Sequence, residues 1–343
     1  MPNNIIYPEI YQKLVDKESQ VYYVARQNYI ADSRLSSFYN QIRKLNIDYR
    51  FRDIENYLIS NSSNGWVIWG YDDIAYYHYL LLQDSKYTVV GVTDYEFDSR
   101  ISDVPFVCIE QAIKLVNDEG YTVLIPQQKY TDTIKSLFNP NNILTVHGHL
   151  VGRCGWQYFD YFDSNDNEVF VDGGSLDGKS SIEFTKWSKG VFDAIYAFEP
   201  NPKMVQECME TLNTLSCNKV FFYDRALWTC KCKLNFNNES YSKWDSCVSN
   251  DGTESVDADT LDNIIGQNKV TFIKLDVEGS ELEVLMGAAE TIKRDHPRMA
   301  ISVYHKTNDL FNVAHYLLSL MDNCNFAIRH YHSDHIETIL YVF

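Results

Sequence analysis

The chain has 343 residues, a formal net charge of −17 and a hydrophobic fraction of 45%, so it can bury substantial cores. Its acidic balance opposes contact with nucleic-acid phosphates and anionic membranes, and we expect neither as a partner. Apolar stretches no longer than a strand predict no membrane span, and an N-terminus without a signal pattern, together with eight scattered cysteines, predicts a reduced, cytoplasmic protein.

The N-terminal part of the chain is predicted to form a helical segment followed by a small α/β domain. Apolar residues at helical spacing predict an α-helical segment over residues 1–64. Strand and helix patterns alternate over residues 65–150, which predicts a small Rossmann-like domain with parallel strands. The turn G-Y-D-D at residues 70–73 carries two acids and a tyrosine where a phosphate loop needs glycines. We therefore predict a domain that lacks a phosphate loop and serves as a scaffold or partner surface. Its strands are predicted at Trp66–Gly70, Thr88–Val92 and Thr122–Ile125, and a helix at Ile109–Asn117.

Residues 151–343 are predicted to form a second, larger α/β domain. Strands are predicted at Glu168–Asp172, Ile195–Phe198, Val220–Tyr223, Thr271–Leu275, Met299–Val303, Phe326–His330 and Thr338–Phe343. Helices are predicted at Gly178–Ser188, Pro202–Ser216, Val256–Ile265, Ser280–Arg294 and Asn308–Met321, and a hairpin insertion at Cys232–Asp251. The last two strands are joined by a turn-rich link and are expected to pair antiparallel. The predicted fold class is therefore α/β: a Rossmann-like sheet with a C-terminal antiparallel strand pair, preceded by the helical segment and the smaller Rossmann-like domain.

A buried strand runs directly into an acid and a glycine-rich turn in the segment E-V-F-V-D-G-G-S-L-D-G, residues 168–178. Glycines let the backbone pack closely against a ligand, and the helix that follows points its positive end at an anion. In an open α/β sheet, ligands bind at this end of the strands. A tight turn without a ligand is the alternative. The cofactor-site candidates in this segment are Asp172, Gly173, Gly174, Ser175 and Gly178.

A second acid, Glu199, indicates that the ligand is a nucleoside. Glu199 and Pro200 end the next strand in A-F-E-P, where a carboxylate can accept hydrogen bonds from both hydroxyls of a ribose. Asp224 ends the third strand and Ala226 follows it, where an acid and apolar neighbours would meet an adenine ring. A loop aspartate that caps a turn is a nearly equal explanation for Asp224. Because an acid beside the glycine turn disfavours a pyrophosphate and suits a cationic nucleoside, we predict S-adenosylmethionine (SAM) as the cofactor.

The segment I-K-L-D-V-E-G places three ionisable residues at the end of a buried strand. Strand alternation predicts Lys274, Asp276 and Glu278 on one side, with the lysine as counter-ion of the acids. His305 ends the next strand and is expected to face the same cleft, where it can take a proton near neutral pH. A structural ion pair, a helix cap at Glu278 and a solvated histidine are the alternatives.

Three histidines near the C-terminus, His330, His332 and His335, are spaced so that they could bind zinc. They lie in a terminal hairpin, and no carboxylate is clearly placed to support them. We therefore predict no metal site.

Five ordered motifs resemble those of FkbM-type SAM-dependent methyltransferases. They are V-F-V-D-G-G-S-L-D-G, A-F-E-P-N-P, I-K-L-D-V-E-G-S-E-L-E-V-L-M-G-A, I-S-V-Y-H-K and E-T-I-L-Y, and the resemblance spans residues 155–343. The predicted layout is also that of class I SAM-dependent methyltransferases. The lead-in Q-Y-F-D fits the family too and adds Gln157 and Tyr158 to the cofactor candidates. One departure is Gly174-Ser175, where Ala is commoner in the family.

The resemblance implies methyl transfer, usually to a hydroxyl oxygen, and bacterial members of the family often modify polysaccharides, glycans or natural products. It implies SAM contacts at Asp172, Gly173, Gly174 and Glu199. It also implies that Asp276, Glu278 and His305 line the reaction cleft. The N-terminal 150 residues lie outside the family's core and are expected to set the choice of substrate or partner.

The resulting hypothesis is a SAM-dependent methyltransferase that methylates a hydroxyl of a carbohydrate or glycan precursor. His305 or Asp276 is expected to act as the base, and Lys274 to position the acid or shift its pKa. A small-molecule or glycan-precursor substrate is the expected partner, and a homodimer is possible through an exposed sheet edge. One alternative is a nucleotide-sugar-dependent transferase, which the lack of a D-x-D pair disfavours. The other is a non-enzymatic scaffold of a surface-glycan pathway.

Overall fold

A computed structural model gives the fold of most of the chain. The residues that it describes are 7–42, 60, 64–70, 75, 78–79, 82, 88–92, 105–125, 131–145, 156–237, 247–248, 252, 254–321, 323–331 and 337–343. Contacts divide the chain into two units, of which the first contains Met1–Ile6, Gln20–Cys154 and Tyr331–Ile336. The second contains Tyr7–Ser19, Gly155–His330 and Glu337–Phe343. The domain boundaries predicted at 64/65 and 150/151 stay predictions.

The first unit contains a five-stranded parallel sheet with the strand order β3-β2-β1-β4-β5. The strands are β1 (Gly65–Trp69), β2 (Thr88–Val92), β3 (Phe106–Val107), β4 (Thr122–Ile125) and β5 (Ile143–Thr145). Helices span Leu35–Ile42, Ile109–Glu119 and Thr131–Leu137, and a further helix, Lys17–Asp32, begins in the second unit. Buried apolar residues of β1, β4 and the flanking helices form its core. The order is that of a doubly wound sheet, which confirms the predicted Rossmann-like unit. Of the predicted turn 70–73, the structure describes Gly70 alone.

The second unit is built on a seven-stranded sheet with the order β15-β16-β14-β13-β6-β7-β8. Its strands are β6 (Val169–Gly173), β7 (Ala194–Phe198), β8 (Val220–Tyr223), β13 (Phe272–Leu275), β14 (Arg298–Ser302), β15 (Phe326–His330) and β16 (Thr338–Val342). The first five are parallel, and β16 lies antiparallel between β14 and β15. The predicted C-terminal antiparallel pair is therefore confirmed. The strand order reverses between β6 and β13, which makes their carboxyl ends the switch point of the sheet.

Helices and one N-terminal segment cover the sheet of the second unit. The helices are Pro8–Gln12, Lys179–Trp187, Pro202–Asn213, Leu261–Ile265, Glu281–Met286, Ala289–Asp295 and Asp309–Leu320. Leu14 forms a parallel bridge with Phe326 of the edge strand β15, and Arg329 pairs with Asp16 at 2.8 Å. Part of the predicted N-terminal helical segment therefore packs on the larger sheet. Of the helices in the described part of the chain, none is both long and apolar enough to cross a membrane.

The predicted hairpin insertion is part of a separate four-stranded sheet. It has the order β11-β10-β12-β9, with β9 at Ala226–Leu227, β10 at Cys232–Asn237, β11 at Cys247–Val248 and β12 at Glu254–Asp259. The helix predicted at Val256–Ile265 is wrong in its first half, because β12 occupies it. Val256 and Ala258 are buried against Phe236, whereas Ser255 and Asp257 are exposed. This alternation has the two-residue period of a strand.

The single helix predicted at Ser280–Arg294 is divided at Gly287. The structure has one helix at Glu281–Met286 and another at Ala289–Asp295. A Cβ atom on Gly287 would lie 1.9 Å from the carbonyl oxygen of Trp228. The glycine is therefore needed for a close backbone approach, which the sequence pattern did not reveal.

Candidate active site

A buried ion pair stands at the switch point of the larger sheet. Asp172 and Lys274 are register partners on β6 and β13, and the Lys274 Nζ lies 3.1 Å from Asp172 Oδ1. Their side chains are 0% and 3% exposed. The Nζ also donates to the carbonyl of Gly174 at 2.6 Å and lies 5.2 Å from the ring centre of Tyr158. The pair fixes the end of β6 and the turn that follows it.

The second oxygen of Asp172 holds the first turn of the next helix. Asp172 Oδ2 accepts hydrogen bonds from the Ser180 hydroxyl at 2.6 Å and from the Ser181 hydroxyl at 2.7 Å. Asp172 is fully buried, so these bonds and the lysine keep its carboxylate inside the protein. The sequence pattern predicted a ligand contact here, and the described contacts add an organising role. Lys274 was expected to neutralise Asp276 and Glu278, but the carboxylate with which it forms an ion pair is that of Asp172.

The glycine turn is closed by its own hydrogen bonds. The N–H groups of Gly174 and Ser175 both donate to the carbonyl of Phe198, at 3.1 and 2.9 Å. The Gly178 N–H donates to the Ser175 carbonyl at 2.8 Å. Gly174 and Gly178 have φ of +75° and +80°, which a glycine adopts without strain. These three N–H groups therefore donate hydrogen bonds within the turn and do not point at an anion.

Glu199 ties the turn to the end of β7. It is 4% exposed, and its two oxygens accept the N–H groups of Leu176 and Asn201, both at 2.7 Å. Burial raises the pKa of Glu199, although the two N–H donors lower it in part. Each carboxylate oxygen keeps a further acceptor site. Glu199 can therefore hold the turn and still accept a hydroxyl.

The remaining cofactor candidates of the third strand lie at different depths. Asp224 is exposed just beyond β8, whereas Ala226 is buried in β9. Pro200 follows Glu199 at the partly buried entrance of the helix Pro202–Asn213. Whether these three residues touch a cofactor stays a prediction.

Asp276 stands beyond the end of β13 and accepts hydrogen bonds from two tyrosines. The Tyr158 hydroxyl donates to Oδ2 at 2.6 Å, and the Tyr304 hydroxyl donates to Oδ1 at 3.3 Å. Burial would raise the pKa of Asp276, but Lys274, His305 and the Tyr158 hydroxyl outweigh it, and the pKa lies below its ordinary value. Asp276 is therefore ionised at neutral pH. The structure joins Tyr158, a cofactor candidate, directly to a candidate catalytic acid.

His305 lies between three carboxylates. Its Nδ1 is 3.0 Å from Glu281 Oε1, and its Nε2 is 3.5 Å from Asp276 Oδ1 and 3.3 Å from Glu278 Oε2. Burial would lower the pKa of His305, but the hydrogen bond and charge of Glu281 and the charges of the other two acids raise it to about 9. The structure thus brings together the residues predicted for the reaction cleft.

Glu281 is the residue of this cluster that the sequence analysis missed. It reads as an acid in the first turn of a helix, where acids are common. The left-handed conformations of Glu278 and Gly279, with φ of +53° and +87°, fold the chain back so that Glu281 faces His305. The signal available in the sequence was the third acid of D-V-E-G-S-E.

Two groups of residues have the composition of a metal site. Ligand atoms of Asp276, Glu281 and His305 all lie within 4.8 Å of one another, a spacing that could hold a metal ion. Near the C-terminus, His330 Nδ1 is 2.9 Å from the Thr338 hydroxyl, and His332 and His335 lie outside the described residues. The prediction of no metal stays a prediction.

The charge on His305 is expected to make stability depend on pH. The pKa is about 9 in the folded protein and about 6.5 for an unperturbed histidine. Because the folded value is higher, the stabilisation is complete below about pH 6.5 and is lost as the pH rises to about 9. It amounts to on the order of 3 kcal/mol of unfolding free energy. Urea unfolding at pH values from 6 to 9.5 measures it.

The matched control for that measurement is His305→Gln. This variant is expected to be less stable than the wild type at pH 6.5 and to approach it near pH 9. Both proteins keep the four acids near position 305, which are Asp276, Glu278, Glu281 and Asp309. Burial raises the pKa of one of them, Asp309, to about 6. Parallel stability curves for the two proteins would contradict a charged His305.

Comparisons with known proteins give one domain match and a similar fold. Residues 172–328 match the model of the methyltransferase FkbM domain. The crystal structure of a methyltransferase FkbM from Methylobacillus flagellatus KT is 17% identical, with a TM-score of 0.53 over 95% of this chain and 99% of that chain. No curated protein matches the chain.

Two further solved structures cover only about half of this chain. An rRNA methylase from Streptococcus thermophilus is 13% identical, with a TM-score of 0.35 over 52% of this chain and 87% of that chain. M. capricolum TrmK in complex with S-adenosyl-homocysteine is 13% identical, with a TM-score of 0.29 over 52% of this chain and 62% of that chain.

Proposed function

We propose that this chain, whose residues 172–328 match the methyltransferase FkbM domain, is a SAM-dependent methyltransferase that methylates a hydroxyl oxygen of a carbohydrate or glycan precursor. The observation that carries the proposal is the position of His305 and Asp276. Both follow the carboxyl ends of adjacent parallel strands, β14 and β13, next to the glycine turn after β6. Ligands of open α/β sheets bind at this edge.

The residues around the turn fit SAM. Glu199 keeps acceptor sites for ribose hydroxyls, and the carboxylates of Asp276 and Glu278 suit a cationic ligand. Gln157 is 2% exposed, and its Oε1 accepts no hydrogen bond from any residue that the structure describes. A buried acceptor without a donor is a place where a ligand's donor fits, and the ammonium group of SAM is such a donor. The proposed cofactor contacts are therefore Gln157, Tyr158, the turn and Glu199.

The chemistry needs a base and an aligned acceptor. Bound SAM supplies a methyl group that its sulfonium has activated. The acceptor oxygen forms the new C–O bond as the C–S bond breaks, its proton passes to the base, and S-adenosyl-homocysteine leaves. His305 Nε2 and the Asp276 carboxylate are the two proton acceptors proposed, and a base of this kind contributes about 10²–10⁴-fold. The site's other contribution is to hold the acceptor oxygen in line with the methyl group.

Ligand binding tests the cofactor. Isothermal titration calorimetry is expected to show binding of SAM and S-adenosyl-homocysteine, and no binding of a UDP-sugar. Glu199→Gln is expected to weaken binding of both SAM and its product, since a charge-assisted hydrogen bond contributes about 1.5–3 kcal/mol. Glu210→Gln, a substitution on the solvent side of a helix, serves as the control. Binding of a UDP-sugar in place of SAM would point to a nucleotide-sugar-dependent transferase. Binding of neither ligand would point to a scaffold.

The pH dependence of methyl transfer distinguishes the two bases. If His305 is the base, kcat/KM rises with pH up to about 9, because the histidine must first lose its proton. If Asp276 is the base, its lowered pKa makes kcat/KM flat across this range. His305→Gln and Asp276→Asn are each compared with His315→Gln, an exposed histidine of the same unit. Removal of the base is expected to lower kcat/KM by about 10²–10⁴-fold. Near-normal turnover by both variants would contradict the proposed mechanism.

The class of methyl acceptor and the cellular compartment are also proposals. Transfer of labelled methyl from SAM to a panel of sugars and glycan precursors tests the substrate class, and amines and phosphorylated compounds in the same panel test other acceptors. We expect the protein to act in the cytoplasm. Six cysteines of the described residues form no disulfide, which fits a reducing compartment; they are Cys108, Cys208, Cys217, Cys230, Cys232 and Cys324. A homodimer stays a prediction that light scattering can check.

A further inference from the structure

We propose that Glu281 is a positioning residue: it pairs with His305 and holds the Nε2 of that histidine toward the reaction cleft, so that His305 rather than Asp276 receives the acceptor's proton. The inference rests on the proposed methyl transfer. It adds a residue that no sequence pattern assigned and it separates the two candidate bases.

Glu281 is placed to fix several groups at once. It is 1% exposed, and its Oε1 lies 3.0 Å from His305 Nδ1. The same oxygen accepts the N–H of Val277 at 3.0 Å and that of Gly279 at 3.4 Å. These residues flank Glu278 in the turn between β13 and the helix. One buried oxygen therefore sets both the shape of this turn and the direction of the histidine ring.

The contact with Glu281 determines which histidine nitrogen is available. An ionised carboxylate accepts hydrogen bonds only, so Nδ1 must carry the proton that it shares with Glu281. When His305 loses a proton, it therefore loses the one on Nε2, which faces Asp276 and Glu278. A partner of this kind sets the tautomer of a histidine and stabilises its charged form.

Asp276 is less suited to the same task. Both of its oxygens already accept hydrogen bonds from tyrosine hydroxyls, those of Tyr158 and Tyr304. Such bonds stabilise the ionised carboxylate and weaken it as a base. We assign Asp276 the role of holding positive charge next to the proton acceptor, with Tyr158 fixing its orientation.

Glu281→Gln tests the pairing without removing the hydrogen bonds. The glutamine oxygen can still accept the N–H groups of Val277 and Gly279, so the turn is kept while the charge is lost. Nuclear magnetic resonance titration of labelled histidine in the free protein measures the pKa of His305, and His305→Gln identifies its signal. The expected result is a pKa lowered by about 1–3 units, the usual effect of losing an adjacent opposite charge. Glu290→Gln, the same substitution at an exposed site, is expected to leave it unchanged.

The kinetic consequence is a displaced pH profile. In Glu281→Gln the rising limb of kcat/KM is expected to move to lower pH by the same amount as the histidine titration, and the plateau to fall. A merely structural role would lower the plateau without moving the limb. Glu281→Ala, which also removes the acceptor for the turn, is expected to lose more activity and to be less stable than Glu281→Gln.

Three outcomes would overturn the inference. One is a His305 pKa that shifts equally in Glu281→Gln and Glu290→Gln. Another is a pH limb that stays in place in Glu281→Gln. The third is a wild-type histidine signal that moves on addition of EDTA alone, which would indicate a metal ion on Asp276, Glu281 and His305. The titration uses no cofactor or acceptor, so it still decides the pairing if SAM fails to bind and the proposed function fails.

Discussion

Asp172→Ala is expected to lower the free energy of unfolding by about 3–5 kcal/mol, because it leaves the Lys274 ammonium buried without its partner. Both side chains lie almost entirely out of water, and the pair joins neighbouring strands at the switch point. The substitution also removes the acceptor of two serine hydroxyls at the start of the next helix. Chemical unfolding in urea measures the loss. SAM binding is expected to fall with it, since the turn after β6 loses its anchor.

Two controls separate burial from charge in this result. Lys233 and Asp257 form an ion pair at 2.7 Å, but their side chains are 69% and 62% exposed. Asp257→Ala is therefore expected to lower the free energy of unfolding far less than Asp172→Ala does. The double variant Asp172→Leu with Lys274→Met is expected to recover much of the stability lost in Asp172→Ala, because no lone charge remains buried. Equal losses at the buried and exposed pairs would contradict this account.

Gly174→Ala is expected to abolish SAM binding and to destabilise the fold severely. A Cβ atom at this position would lie 1.9 Å from the carbonyl oxygen of Asp276, and the residue has φ of +75°. The backbone of the turn or the segment that carries Asp276 would have to move. Overpacking of this kind costs about 1–3 kcal/mol or more, and a non-glycine residue in the left-handed region adds about 1–2 kcal/mol. Calorimetric binding of SAM and urea unfolding measure the two effects.

Gly190 provides a matched control for the glycine substitution. Its φ is +76°, and a Cβ atom there would meet no other atom within 4 Å. Gly190→Ala therefore carries the conformational cost without the collision, and we expect a loss of about 1–2 kcal/mol with SAM binding unchanged. If Gly174→Ala behaved like Gly190→Ala, the close approach of the turn to Asp276 would be of no consequence.

Local patterns in the sequence were enough to predict most elements of the larger sheet. Val169–Gly173 and Ala194–Phe198 are buried strands that end in acids and turns, and both lie within a residue or two of their predicted positions. The C-terminal pair Phe326–His330 and Thr338–Val342 was also predicted, because each strand is apolar and a turn-rich link joins them. Buried strands and turns are specified by residues that are close in sequence.

The wrong secondary-structure predictions concern elements whose conformation depends on residues distant in sequence. The second part of the strand Glu254–Asp259, from Val256 onward, was predicted as the start of a helix. It forms a strand by pairing with Cys232–Asn237, which buries Val256 and Ala258 and leaves Asp257 exposed. Gly287 lies between two helices, and the carbonyl of Trp228, some 60 residues away in sequence, leaves no room there for a Cβ atom.

Local sequence patterns were enough to predict that a glycine turn, a strand-end Glu199 and an acid-rich strand end lie at one edge of an α/β sheet. The pairing of these charges became apparent from the tertiary structure. Lys274 forms an ion pair with Asp172, its register partner on the neighbouring strand about one hundred residues earlier in the chain. His305 pairs with Glu281. The physical reason is that strand periodicity fixes the face on which a side chain lies, whereas its partner is set by the register of strands and the path of turns.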